Sequence, residues 1–149
     1  MRALAATAVL LVICLTLRAQ EAPATAPTMI RADDPAALAA AMNSDVMVEG
    51  VVERAEWSRT GKVMNIEFKG ASDGLLAVVF DRKRQQLDEA FGGDLGKAIT
   101  GAKLRVRGTL KPYGGRTESM KGRAQIIIED GHQIIIMEQP PATQPGGGR

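Results

Sequence analysis

Residues 101–116, GAKLRVRGTLKPYGGR, decide the fold. Leu104, Val106 and Leu110 alternate with Lys103, Arg105, Arg107 and Thr109. Successive side chains of a strand point to opposite faces, so this period of two sends one set into a core and the other toward solvent. Pro112, Gly114 and Gly115 then turn the chain into another β-rich run.

Working outward, the stretch 46–57, VMVEGVVERAEW, is long for a strand and holds Gly50 at its middle. A bulge or sharp coil there lets one strand serve two sides of a small barrel. Residues 58–62 form a turn, and 63–69 alternate again, with Met64, Ile66 and Phe68 on one face. The run 75–80, LLAVVF, is unbroken and apolar, as suits a central strand buried on both faces. Between 81 and 100 the period changes: Leu87 and Phe91, then Leu95 and Ile99, recur at i+4 around Gly92 and Gly93. That spacing predicts one helix ending near Phe91 and a short second one from Asp94. A last strand region covers 124–129 and 133–137, with a turn at Asp130 and Gly131. Upstream, Asp33 or Asp34 can cap a short helix with Pro35 in its first turn and Leu38 and Met42 on one face, packed on an end of the barrel.

At 149 residues, 45% hydrophobic and 24% charged, the chain fits one folded domain with dispensable ends. Arg2, the apolar run 3–17 and the small-residue tract containing Ala22, Ala24 and Ala26 predict a signal peptide over 1–24 and an exported, periplasmic or extracellular protein. The apolar run falls short of the roughly 20 residues that span a bilayer, so no stable membrane insertion is expected after cleavage. The alternatives are an uncleaved anchor or a lipoprotein, and bulky Ile13 before Cys14 argues against the second. A flexible spacer is expected over 25–32, the folded domain over 33–138, and a disordered tail over 139–149. Cys14 is the sole cysteine and His132 the sole histidine, which excludes disulfides, thiolate catalysis and histidine-rich metal sites from the mature domain.

The order of helix, three strands, helix, two strands, with a glycine in the long first strand, is similar to the OB-fold. The residues 48–52, 76–80 and 106–110, with Tyr113, Gly114, Gly115 and Arg116, resemble the strand 1, strand 3 and strand 4 signatures of OB domains of the nucleic-acid-binding type. The resemblance covers about 46–137 and implies a mainly β, five-stranded Greek-key barrel with a helical connection between strands 3 and 4. Residues 117–123 depart from it as an insertion before strand 5.

In such domains the face of strands 2 and 3, flanked by the strand 1–2 and strand 4–5 loops, forms the binding site. Carried onto this chain, the resemblance implies an interface for single-stranded nucleic acid of Trp57, Arg59, Lys62, Lys69, Lys111, Tyr113, Arg116 and Arg123. Rings beside cations are what base stacking with phosphate neutralisation requires. Between 103 and 123 seven cations, Lys103, Arg105, Arg107, Lys111, Arg116, Lys121 and Arg123, stand against one acid, Glu118, although the whole chain carries only +2. Against this, alternating cations also blunt a sheet edge, Trp57 suits a barrel cap, and Glu53, Glu56 and Glu67 repel phosphate. The other reading is an extracytoplasmic OB module for a protein, peptide or glycan. No catalytic constellation, cofactor or metal set is apparent: Asp73 and Gly74 are followed by Leu75 rather than the Asp-Thr of thermonuclease-type OB-folds, and the glycine pairs lack a phosphate-loop lysine.

Overall fold

The computed structural model describes residues 26–139. The expected signal peptide, and all but the first residue of the expected tail, lie outside the described residues. Eight strands form a single strongly curled sheet: β1 (Thr28–Arg31), β2 (Asp45–Trp57), β3 (Val63–Phe68), β4 (Leu76–Phe80), β5 (Lys103–Thr109), β6 (Lys111–Pro112), β7 (Ala124–Ile128) and β8 (Ile134–Glu138). Helix α1 (Pro35–Ala40) precedes β2, while α2 (Arg84–Ala90) and α3 (Leu95–Ile99) link β4 to β5.

Eight strands in place of five have a simple cause. The expected fourth strand breaks at Leu110 into β5 and β6, and the fifth breaks at a 3₁₀ turn, Gly131–Gln133, into β7 and β8. The added strand is β1, in a segment expected to be a spacer. It pairs in parallel with β2, Thr28 opposite Val46 and Arg31 opposite Glu49, and buries Ile30. Four residues flanked by proline carry too short a pattern to announce a strand whose partner lies elsewhere.

β2 serves two sides as its length predicts. Residues from Asp45 to Val51 pair with β5, whereas those from Val52 to Trp57 pair with β3. The register irregularity falls between Val52 and Arg54 rather than at Gly50. Gly50 instead permits close approach: a Cβ there would lie 2.7 Å from the Ala32 Cβ and 2.8 Å from the Phe68 ring. The meander continues antiparallel through β3 and β4, and β4 then pairs in parallel with β7. Ala77, Val79, Ile66, Phe68, Leu104, Val106 and Ile126 fill the interior.

Between β5 and β7 a side chain takes the place of a ladder. The Gln133 amide donates to the carbonyls of Arg107 at 3.0 Å and Ile127 at 3.2 Å. Its carbonyl oxygen accepts from the backbone of Glu129 at 2.7 Å and Asp130 at 3.0 Å. Gly108 lets the two strands close, since a Cβ there would meet the Ile126 side chain at 2.6 Å.

The helices seal the barrel. Asp34 caps α1 by accepting from the Ala37 N–H at 3.0 Å, and Leu38 is buried in the core. Leu87 of α2 and Leu95 and Ile99 of α3 are likewise buried, and Asp94 caps α3. No helix among the described residues is long and apolar enough to cross a membrane.

Candidate functional site

Pairing fixes which side chains share the outer face of β3, β4 and β7. Val63, Asn65 and Glu67 alternate with buried Met64, Ile66 and Phe68, and stand opposite Phe80, Val78 and Leu76. The parallel register then adds Gln125 beside Leu76 and Ile127 beside Val78, and Lys111 of β6 lies opposite Gln125. The result is an apolar strip in which Leu76 and Val78 are buried and Ile127 and Phe80 keep partial exposure, with polar flanks.

The two loops lie at opposite ends of this face. The turn 58–62 enters β3 at Val63, beside Phe80, while the stretch 113–123 enters β7 at Ala124, beside Leu76. From Val63 to Glu67 the strand runs roughly 13 Å, at about 3.3 Å per residue.

The charges sort sharply. Among the described residues, the cations with no carboxylate within 4.0 Å are Arg59, Lys62, Lys69, Lys111, Arg116 and Arg123. Arg59 and Lys62 sit at one end of the face, Lys111 on its β6 side, and Arg116 at the other end. Glu67, expected to repel phosphate, is held 2.8 Å from Arg54.

Several expected site residues are engaged elsewhere. Trp57 stands opposite Met64, a core residue, so its ring lies on the inner side of the sheet at the barrel end. The Arg84 guanidinium covers it, 4.8 Å from the ring centroid. Arg123 is half-buried and donates to backbone carbonyls, to Ala71 at 2.9 Å and Gly74 at 3.3 Å, tying the loop between β3 and β4 to the start of β7. Lys69 borders a different hollow of about 260 Å³, shared with Arg31, Asp33, Glu49 and Lys103. Tyr113 is half-buried and folded against Gly115, where a side chain would collide with the phenol.

The basic strand β5 is neutralised rather than free. Glu49 on β2 receives Lys103 at 2.9 Å and Arg105 at 2.8 Å, and Asp45 lies 3.7 Å from Arg107. Hydrogen bonds from Lys103 and then Arg105 hold the Glu49 carboxyl below the usual carboxylate range. The hydrogen bond with Glu49 holds the Lys103 ammonium above its own.

Sequence reasoning left Phe80 and its neighbour Arg82 out of the site because 75–80 reads as a buried strand; residues 75–79 are buried as that reading expects, and Phe80 at the strand end is part-exposed. The signal that could have found the ring is its place at the end of the run, directly before Asp81 and Arg82. Arg82 lies over Phe80, 5.2 Å from the centroid. Among the described residues no group of three His, Cys, Asp or Glu side chains is placed to hold a metal ion.

The fold has counterparts among solved structures. A protein described as a putative aspartyl-tRNA synthetase from Leishmania major Friedlin superposes with a TM-score of 0.55 at 14% identity, over 85% of this chain and 24% of that one. The fold is an OB-fold. An asparaginyl-tRNA synthetase from Entamoeba histolytica matches with a TM-score of 0.49 at 15% identity, over 78% of this chain and 24% of that one. The OBody AM2EP06, in complex with hen egg-white lysozyme, matches at 0.45 and 15% identity, over 66% of this chain and 84% of its own length. The OB barrel thus spans about a quarter of the synthetases it matches. No protein-family model and no curated protein matches the chain.

Proposed function

We propose that the chain is an exported OB-fold module that binds single-stranded nucleic acid across the outer face of β3, β4 and β7, without catalytic activity of its own. The observation carrying this reading is the placement of the unpaired cations: Arg59 and Lys62 at one end of the face, Lys111 and Arg116 toward the other, with the part-exposed Phe80 and Ile127 on the face they frame. In that role Phe80 is the stacking ring once a base replaces the Arg82 guanidinium that covers it, and the four cations follow the backbone. The solved synthetase of the same fold agrees with it as analogy. Export rests on the charged start, short apolar run and small-residue exit of residues 1–26.

A second reading has its own support. Ile127 and Phe80 offer part-exposed apolar surface, and Arg54 with Glu67 makes the flank neutral, which also suits an extended segment of an envelope protein or a glycan. Ionic strength separates the two, because phosphate binding weakens steeply with salt whereas apolar contact does not. Titration of a labelled, unstructured oligonucleotide with the mature protein at several salt concentrations is the test. The proposal expects binding at low salt that falls with a linear log–log slope; no binding at low salt contradicts it.

A further inference from the structure

We infer that Arg82 and Lys83 form a phosphodiester subsite that is filled, in the free protein, by the chain's own Glu129 carboxylate. The inference rests on the nucleic-acid reading above and extends the site onto a turn that the reading does not use.

Arg82 and Lys83 lie in the 3₁₀ turn Asp81–Lys83 that leaves β4 directly after Phe80. Glu129 directly follows β7, the strand beside β4. One oxygen of Glu129 lies 2.7 Å from Arg82 and the other 3.7 Å from Lys83, so a single carboxylate bridges two cations. A phosphodiester presents the same feature, two anionic oxygens on one centre, and a planar guanidinium suits either anion.

Position joins this pair to the face. The guanidinium of Arg82 covers Phe80, and the Asp81 N–H donates to the Lys62 carbonyl at 3.0 Å, which sets the turn beside the free cations Lys62 and Arg59. A base that stacks on Phe80 takes the place of the Arg82 guanidinium over the ring and leaves that guanidinium beside the neighbouring phosphate. Glu129 is the group it must displace. Side-chain exposures of 63% for Arg82 and 46% for Glu129 leave the pair open to exchange, and exposed ion pairs of this kind add little to the stability of a fold. The backbone N–H of Glu129, not its carboxylate, makes the hydrogen bond with Gln133, so the acid can be altered without loosening the barrel closure.

The experiment titrates fluorescein-labelled oligo(dT) with the mature full chain as wild type, Glu129→Gln, Arg82→Gln and the double variant, at several salt concentrations and with matched thermal melts. Glu129→Gln is expected to bind roughly three- to tenfold more tightly at low salt and to steepen the log–log slope by about 0.7 for each further phosphate neutralised. Arg82→Gln in that background should abolish the improvement. Wild-type binding that Glu129→Gln leaves unchanged or weakens overturns the inference alone. Absence of binding by both proteins at low salt overturns the nucleic-acid reading, and this subsite with it.

Discussion

The outer face of β1, β2 and β5 and the outer face of β3, β4 and β7 belong to one sheet, yet they pair their cations to different extents. On the first, Lys103, Arg105 and Arg107 are answered by Glu49 and Asp45, and Arg31 by Asp33. On the second, Arg59, Lys62, Lys111 and Arg116 frame the face with no carboxylate within ion-pair distance. The most basic strand, β5, is therefore not the most available positive surface. Pairing across strands, not composition along one strand, decides which cations a polyanion can use.

The largest expected effect tests the point where β2 passes from one face to the other. Gly50→Val drives a side chain into Ala32 and Phe68, both buried, and should cost about 3 kcal/mol through overpacking. An unchanged denaturant midpoint would mean that the two faces do not share a tightly packed strand there. Somewhat smaller is Arg123→Ala, which strips charged hydrogen bonds from the carbonyls of Ala71 and Gly74 and should cost about 2 kcal/mol. If Arg123→Ala instead melts like the parent and weakens oligonucleotide binding, that arginine belongs with the free cations.

Glu49→Gln sharpens the comparison through pH. Because the folded-state pKa of Glu49 is depressed, its ion pairs contribute stability above the ordinary carboxylate range, and that contribution disappears as pH falls through the lowered value. The variant should melt below wild type at neutral pH, by less than either change above, and the gap should close in acid. A gap that persists at low pH would assign the destabilisation to packing rather than to charge.

Much of this is legible in the residues. The alternation around Val106, the unbroken run at Leu76 and the i+4 pattern after Asp81 specify the barrel and its helical link. Arg54 and Glu56, against Ala55 and Trp57, also record that the alternation of β2 changes phase after Val52, which turns Trp57 inward. The charge pairing is not legible, since Glu49 meets Arg105 only after a register is set between strands more than fifty residues apart. The same holds for Arg123, whose partners are carbonyls that leave no mark in side-chain chemistry.

The most direct measurement compares salt dependence in two double variants, Arg59→Gln with Arg116→Gln on the free face, and Arg105→Gln with Arg107→Gln on the paired one. For an unstructured oligonucleotide, the first should flatten the plot of log affinity against log salt by about 0.7 for each phosphate no longer neutralised, and the second should leave the slope as in wild type. A slope that flattens only in the second variant would place the ligand on the face of β1, β2 and β5 and contradict the account.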